Sequence, residues 1–349
     1  DNKSLVKQPR FEDWKLIKAQ HLVSGKIEKQ NNKLIVSFKL YDVYQQKILE
    51  TKFKSGGLSG PETSWRRIAH MISDAVFQKV TGEGGYFDTR IVYVAETGPK
   101  DNKQKRLAIM DQDQSNHRFL TDGSYLVLTP RFSLNRKEKK ITYMSYVNRN
   151  SPRVYIFDLE TGKQEIVGEF PGMTFAPRFS PDGNQIVMSY TDPGIGNSEI
   201  YILDLKTRIS KRVTNNSSID VSASFSPDGK QIVFNSDRSG RRHLYVSDNN
   251  GKNIKRISRE AGSYYTPVWS PRGDMIAFTK QEGGQFYIGV METDGSNERM
   301  IAKSFHVEGP TWAPNGRFLM YFKEERTAED GSGGESSLYS IDLTGFNER

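Results

Sequence analysis

The side chains best able to bind a metal ion or to act as a nucleophile are few in this sequence. The 349 residues include no cysteine and five histidines, which are His21, His70, His117, His243 and His306. The lack of cysteine excludes disulfide frameworks, thiolate zinc sites, iron–sulfur clusters and a cysteine nucleophile. No two histidines have the spacing of a metal-binding motif, so a metal site would require side chains that converge only in the folded chain. The sequence therefore predicts neither a bound metal nor a cofactor.

Three short segments resemble parts of catalytic or ligand-binding motifs, and each lacks an essential residue. Gly57–Gly60 does not have the Gly-x-Ser-x-Gly spacing that places a serine nucleophile on a strand–turn–helix elbow. Gly82–Gly85 lacks the Lys-Ser/Thr pair that completes a phosphate-binding loop. Asp294–Asn297 matches only a fragment of a calcium loop and predicts a hairpin turn. We therefore expect no catalytic residues, and we predict that the chain is not an enzyme.

The charge and hydropathy of the chain restrict its partners. The sequence has 50 Lys and Arg against 42 Asp and Glu, which gives a net charge of +8. The basic residues are spread among acidic ones and form no aromatic–basic motif, so we expect a solvated basic surface and no nucleic-acid partner. No apolar stretch reaches the length of a membrane-spanning helix. The chain starts with Asp1 rather than Met, and the absence of cysteine suits an oxidising compartment, so we expect an exported chain whose signal has been removed.

One seven-residue segment recurs along the last three quarters of the chain. Its copies are Pro177–Gly183, Ala223–Gly229, Pro267–Gly273 and Pro310–Gly316, with a less regular copy at Pro130–Asn135. The central Ser or Ala falls at positions 133, 180, 226, 270 and 313, which gives steps of 47, 46, 44 and 43 residues. Each copy ends in a Ser-Pro-Asp-Gly type of turn, in which Pro restricts φ and Asp and Gly tolerate the tight positions.

Alternating apolar runs follow every copy and predict short antiparallel strands. A second strand begins near residues 107, 154, 200, 244, 286 and 338, so the strands group into six units. A repeat of about 45 residues with four strands per unit is typical of a β-propeller blade. The rings of Phe179, Phe225, Trp269 and Trp312 are predicted to fill the wedges between neighbouring blades. The predicted fold class is mainly β, a six-bladed β-propeller preceded by a small α/β domain.

The small domain is predicted at residues 1–85 and the propeller at residues 86–349. Leu34–Leu40 alternates as a strand with one buried face, and Ala19–Ile27 and Ile48–Phe53 are predicted partner strands. A helix is predicted from Ser64 to Gly82, with Thr63 and Ser64 able to cap its start. We expect the domain to be truncated, since three strands and one helix bury little apolar surface. We also expect the strand that closes the propeller ring to be absent or supplied by other residues.

If the chain is not an enzyme, we expect it to bind a partner on the propeller face near the central channel. We interpret the stretches just before each repeated segment as loops, at residues 122–129, 170–176, 216–222, 261–266 and 304–309. Aromatic and Met side chains on loops of a rigid scaffold favour protein binding, although rings that turn inward would simply fill the channel. The predicted partner-binding residues are Tyr125, Met173, Thr174, Phe175, Ala176, Asp220, Val221, Tyr264, Tyr265, Val307 and Glu308.

The order of these parts resembles the TolB family of the Tol–Pal system of Gram-negative bacteria. The similarity covers nearly the whole chain, and its most specific part is the helix Ser64–Gly82 followed by the strand Thr89–Val94. Such a resemblance implies a six-bladed propeller after a small α/β domain, and a monomer in the periplasm. It also implies roles in outer-membrane integrity, cell division and protein transport.

The family resemblance further implies particular partners. In the family, the peptidoglycan-binding lipoprotein Pal docks on the propeller face over the channel, and colicins use that face in some relatives. Aligned on the repeats, the contact positions fall at Met173, Ala176 and Val221, where Met173 and Val221 replace an expected His and Thr. Members offer an extreme N-terminal segment to the inner-membrane protein TolA. That segment is expected to be missing from this chain.

Two other functions fit the same sequence. A metal-dependent polysaccharide lyase on a similar propeller would need several His or Gln side chains to converge on the channel, and metal analysis of the purified protein tests this. A peptide- or glycan-binding propeller with no Tol connection would not retain Pal in a pull-down experiment.

Overall fold

The computed structural model describes residues 8–50, 58–99, 102–135, 138–148, 151–168, 170, 172–326 and 333–349. They form two compact units. The first unit contains the described residues up to Arg90 together with Asp111–Asp113, and the second contains Ile91–Met110 and the described residues from Gln114 onward. No helix in the described part of the chain combines the length and the apolar character needed to cross a bilayer.

A four-stranded antiparallel sheet and a long helix make up most of the first unit. Its elements are α1 (Phe11–Leu16), β1 (His21–Gln30), β2 (Lys33–Asp42), β3 (Lys47–Glu50), β4 (Leu58–Pro61), a 3₁₀ turn (Glu62–Ser64) and α2 (Trp65–Thr81). The central strand β2 pairs with β1, β3 and β4. Phe38 and Leu40 of β2 pack against Ala75 of α2, because alternate positions of the strand share one face.

The predicted elements of this unit are largely confirmed, with differences at their ends. Strand β2 has its buried face where the alternation places it, and α2 ends at Gly82, which adopts a left-handed φ of 76°. Ser64 makes no side-chain capping hydrogen bond, so the predicted cap is wrong, and the helix follows the 3₁₀ turn directly. Helix α1 and strand β4 were not predicted. Residues 51–53 of the third predicted strand lie outside the described residues.

Asp74 fixes the chain after helix α2. Its carboxylate accepts hydrogen bonds from the backbone N–H groups of Phe87 at 2.7 Å and Asp88 at 3.1 Å. A Cβ atom at Gly85 would lie only 2.2 Å from an oxygen of Asp74, so this position requires glycine. The Gly-rich joint of the sequence is therefore a close approach of backbone to carboxylate.

The strands from β5 onward form six antiparallel sheets within the described residues. The first sheet contains β5 (Arg90–Thr97), β6 (Gln104–Asp111) and β7 (Arg118–Phe119). The second contains β8 (Val127–Phe132), β9 (Lys140–Asn148), β10 (Ser151–Asp158) and β11 (Gln164–Gly168). The third contains β12 (Met173–Phe179), β13 (Gln185–Thr191), β14 (Ser198–Asp204) and β15 (Ser210–Arg212).

The remaining three sheets repeat this order. The fourth sheet contains β16 (Asp220–Phe225), β17 (Gln231–Ser236), β18 (His243–Asp248) and β19 (Lys255–Arg256). The fifth contains β20 (Ser263–Trp269), β21 (Met275–Glu282), β22 (Gln285–Glu292) and β23 (Arg299–Ser304). The sixth contains β24 (His306–Trp312), β25 (Phe318–Arg326) and β26 (Gly333–Asp342). The six predicted second strands are confirmed as β6, β10, β14, β18, β22 and β26.

Each pair of consecutive sheets shares one apolar cluster. Phe179 of the third sheet packs with Val154 and Ile156 of the second, and Phe225 of the fourth packs with Val187 and Ile200 of the third. Trp269 and Trp312 lie in or against the clusters of the next two sheet pairs. The predicted wedge role of these four rings is confirmed. Strands β8, β12, β16, β20 and β24, here called the inner strands, also pack against one another along the series.

The repeated turn holds its shape through the serine hydroxyl. Ser226 Oγ donates to Asp228 Oδ1 at 2.6 Å and accepts from the backbone N–H of Gln231 at 3.0 Å. Gly229 has a φ of 72°, where a side chain would be strained. The hydroxyl thus joins both ends of the turn, a role that the sequence analysis did not assign to it.

The outer edge of the sixth sheet continues into the last residue. Arg349 exchanges two backbone hydrogen bonds of 2.9 Å with Ser340 of β26. In the part of the chain that the structure describes, the first and sixth sheets have three strands each. Which residues close the ring stays a prediction.

Candidate protein-binding surface

The predicted contact residues lie mainly on the inner strands rather than in loops. Tyr125 precedes strand β8, whereas the other ten belong to β12, β16, β20 and β24: Met173, Thr174, Phe175, Ala176, Asp220, Val221, Tyr264, Tyr265, Val307 and Glu308. The interpretation as loops is therefore wrong for residues 127–129, 173–176, 220–222, 263–266 and 306–309, whereas residues 122–126, 216–219 and 261–262 do precede the strands. A backbone irregularity in each inner strand interrupts the alternation of its side chains. The sequence therefore does not show the period of two that indicates a strand.

That irregularity is a bulge repeated in all five inner strands. Thr129, Ala176, Ser222, Thr266 and Gly309 have φ between 44° and 70°, in the left-handed region. The pairing of each inner strand with its neighbour shifts register at the same place. A left-handed non-glycine residue costs about 1–2 kcal/mol, so the surrounding sheet must hold the conformation. Bulges of this kind redirect the side chains on either side.

Burial at each inner strand follows its position relative to the bulge. The residue two positions before the left-handed one is buried in all five strands: Val127, Thr174, Asp220, Tyr264 and Val307. The predicted partner-binding residues Thr174, Asp220, Tyr264 and Val307 are therefore buried rather than exposed. Phe175, Val221, Tyr265 and Glu308, one position later, are partly exposed, and so is Ala176. These five residues, with Tyr125 and Met173, remain able to touch a partner.

An apolar rim lies at the end where the inner strands begin. It consists of Tyr125, Leu126, Met173, Ile195 and Ile219, each between 39% and 50% exposed. Ile195 belongs to this end because Thr191, at the end of β13, pairs with Met173, at the start of β12. The rim thus spans three consecutive sheets, from the second to the fourth. Tyr125 and Met173 are predicted from the sequence, whereas Leu126, Ile195 and Ile219 are not, because alternation alone does not mark them as exposed.

Asp220 is a buried anchor rather than an exposed contact. Its Oδ2 accepts hydrogen bonds from Arg238 Nη2 and Asn216 Nδ2, both at 2.7 Å. The Arg238 guanidinium also stacks 4.9 Å from the ring of Tyr245. These contacts hold the segment before β16, which carries the exposed Ile219.

Tyr264 has a similar buried role in the fifth sheet. Its hydroxyl donates to the carboxylate of Glu298 at 2.8 Å, and Lys280 forms an ion pair with the same carboxylate at 3.0 Å. Burial, and then the negative charge of Glu298, raise the pKa of Tyr264 well above its usual range. Neighbouring Tyr265 instead donates to Gln281 Oε1 at 3.2 Å and lies under the guanidinium of Arg242 at 5.3 Å.

Two arginines follow the bulges of the second and third sheets. Arg131 and Arg178 each stand two residues after the left-handed position. Burial lowers the pKa of Arg131 to about 10, and the charge of Glu308, from the sixth sheet, partly offsets this. Arg131 lies on the inner strand β8, and the inner strands of a propeller border its centre, here called the hub. No sequence signal distinguished these arginines from surface residues.

The histidines are dispersed. His243 is buried and bonds Ser258 Oγ at 3.0 Å, while His306 lies 3.7 Å from Glu308 and 3.5 Å from Glu324. Among the residues that the structure describes, no three His, Cys, Asp or Glu side chains are grouped closely enough to hold a metal ion.

Comparison with known proteins decides the family. Residues 77–349 match the TolB beta propeller domain, and residues 1–49 match the TolB amino-terminal domain. The Tol-Pal system protein TolB of Paramagnetospirillum magneticum is 61% identical over 347 residues, which are 99% of this chain and 76% of that protein. This chain belongs to the TolB family. The resemblance inferred from the sequence is confirmed. The Tol-Pal name of the Paramagnetospirillum relative agrees with the prediction that the chain is not an enzyme.

Solved structures agree with the TolB assignment. The crystal structure of TolB from Acinetobacter baumannii has a TM-score of 0.85 and 29% identity, and covers 97% of this chain and 82% of that one. The oligogalacturonate lyase from Vibrio parahaemolyticus has a TM-score of 0.54 and 11% identity, and covers 95% of this chain and 86% of that one. The second likeness shows a shared fold only. A mainly β fold with a TolB propeller and a small N-terminal domain is thus confirmed.

Proposed function

We propose that this chain is a non-enzymatic adaptor of the Tol–Pal system in the periplasm and that its propeller binds the lipoprotein Pal. The Paramagnetospirillum relative carries the Tol-Pal name, which supports the system. The observation that carries the binding site is the apolar rim on three consecutive sheets. An adaptor needs a rigid surface with exposed apolar side chains, and the inner strands supply that rigidity.

The rim suits the centre of a protein interface. Stable interfaces have an apolar core enriched in Tyr, Met and aromatic residues, surrounded by polar groups. Tyr125 and Met173 are of these types, and Tyr265 lies on the same end of the fifth sheet beside Gln281 and Arg242. We expect a contact of about 800 Å² on each partner.

The predicted contact residues divide into two roles in this proposal. Tyr125, Met173, Phe175, Ala176, Val221, Tyr265 and Glu308 touch Pal. Thr174, Asp220, Tyr264 and Val307 are buried and hold the contact residues in place. The proposal therefore predicts loss of binding without loss of stability for the first group alone.

Two substitutions test the binding surface. Met173→Asp places a charge inside the proposed apolar contact, and Tyr265→Ala removes a partly exposed ring. We expect each to raise the Kd for the soluble Pal domain about 30-fold, since interface residues of this kind contribute about 2 kcal/mol. Isothermal titration calorimetry measures the affinity, and urea denaturation confirms that both variants remain folded.

Ile209→Asp is the matched control for this experiment. Ile209 is 68% exposed and lies in the turn between β14 and β15, at the opposite end of the third sheet from Met173. Its substitution should leave the Pal affinity unchanged. Unchanged affinity for both Met173→Asp and Tyr265→Ala would place the Pal site elsewhere.

The proposal also includes the number of blades, the domain bounds and the oligomeric state. We infer that the six sheets are six blades, that an α/β domain occupies residues 1–85 and the propeller residues 86–349, and that the chain is a monomer. The N-terminal domain carries the contact with TolA, and colicins use the Pal surface. Through Pal and TolA the chain serves outer-membrane integrity, cell division and protein transport. A soluble TolA domain that fails to bind in calorimetry, both to the chain as it stands and to the chain fused to the extreme N-terminal segment of a family member, would contradict the TolA contact.

A further inference from the structure

Arg131 and Arg178 stand at equivalent positions of neighbouring sheets. The inner strands β8 and β12 pack together, and the positive charge of Arg131 acts on Arg178, so we infer that the two guanidinium groups lie near each other. The corresponding residues of the next three sheets are Ser224, Val268 and Thr311, which carry no charge. The positive charge at this level of the propeller is therefore concentrated on one side.

Little in the surrounding protein compensates these two charges. The Nε atoms of both arginines are buried and have no hydrogen-bond partner. Arg131 donates one hydrogen bond, to the backbone carbonyl of the adjacent Pro130 at 2.8 Å. Among the described residues, the side chain of Arg178 makes no hydrogen bond or ion pair.

The charges that act on the two arginines differ from those in an ordinary ion pair. Glu308 is the acidic group that acts on Arg131, and it lies beside His306. Burial, followed by the positive charge of Arg131, lowers the pKa of Arg178 well below its ordinary value. An uncompensated buried charge is costly, and so is an unpaired buried donor. Two such groups side by side would be stabilised by a negatively charged ligand.

We propose that Arg131 and Arg178 form a binding site for an oxyanion, either a carboxylate or an inorganic phosphate, at the hub of the propeller. Guanidinium groups present planar arrays of N–H donors that match the oxygens of both anions. As whole residues both arginines are only partly buried, although their Nε atoms are enclosed, so we expect an anion to approach the outer part of each guanidinium. The hydroxyls of Thr129 and Thr142, buried without a partner close to Arg131 in the sheet, are further donors.

Thermal denaturation of the whole chain with inorganic phosphate tests the site. At constant ionic strength and a phosphate concentration of about ten times its Kd, phosphate should raise the midpoint temperature of unfolding by roughly 3 °C. Arg178→Met should abolish the rise, and Arg131→Met provides an independent variant. Arg118→Met, at an exposed arginine of β7, is the control and should keep the full rise. Equal rises in all four proteins, or no rise in the unsubstituted chain, would overturn the proposal.

A second arm identifies the source of the anion, and it rests on the proposed function. If a carboxylate of Pal occupies the site, phosphate at ten times its Kd should weaken Pal binding about tenfold, and Arg178→Met should weaken it as well. If a free anion occupies the site, the Pal affinity should be unchanged in both measurements while the thermal shift persists. Failure of Pal to bind at all would contradict the proposed function alone, because the thermal test does not involve Pal.

Discussion

Replacement of Asp220 by Ala distinguishes a structural anchor from a binding contact. Asp220 is fully buried, and its Oδ2 is 2.7 Å from Arg238 Nη2, whose side chain is 21% exposed. Loss of one partner of a buried ion pair typically costs 3–5 kcal/mol. Since Arg238 keeps some hydration and stacks on Tyr245, we expect the lower end of that range, about 3 kcal/mol.

Urea denaturation measures this loss, and two further variants interpret it. Asp220→Ala with Arg238→Met removes both charges, so it should recover much of the loss. Asp274→Ala breaks the exposed pair with Arg272, which is 3.3 Å long, and should cost less than about 1 kcal/mol. If Asp220→Ala keeps its stability within about 0.5 kcal/mol and still loses Pal affinity, Asp220 is a contact and the structural reasoning fails.

Two further predictions concern the scaffold. Phe179→Ala should lower the free energy of unfolding, measured by urea denaturation, by about 4 kcal/mol, because the ring is 2% exposed and lies between two sheets. Phe346→Ala, at a ring that is 90% exposed, should change it very little, and equal effects of the two variants would contradict the wedge role. The hydrogen bond from Ser226 lowers the pKa of Asp228, so the ionised carboxylate of Asp228 stabilises the folded chain near neutral pH. This stabilisation is lost as the pH falls below about 4, the unfolded value, and passes through the lowered pKa of the folded state. Asp228→Asn should flatten that acid dependence in denaturation at several pH values, and an unchanged profile would contradict it.

The repeated scaffold could be predicted because one rule builds every sheet. In β13, Ile186 and Met188 face the cluster shared with the second sheet, while Val187 faces the cluster shared with the fourth. Both faces are buried, so apolar residues fill consecutive positions, and a turn of Ser, Pro, Asp and Gly ends each run. Five copies of that pattern make the strands and their order visible without coordinates.

The site could not be predicted to the same depth because burial depends on the bulges. Tyr264 and Tyr265 are adjacent residues of one type, yet the first is buried against Glu298 and the second is partly exposed. The left-handed residue Thr266 follows them where the pairing shifts register, and nothing in its type indicates a positive φ. Helix α1 escaped prediction for a related reason, since its six residues bury only Phe11.

The bulge also explains how one scaffold can carry a local specialisation. The same backbone irregularity presents a different residue at the hub in each sheet: Arg131, Arg178, Ser224, Val268 and Thr311. Because the sheets hold the bulge in place, these positions can change in charge and size without altering the strands around them. Two adjacent arginines among three uncharged residues give this level of the propeller the one-sided positive charge that the proposed anion site requires.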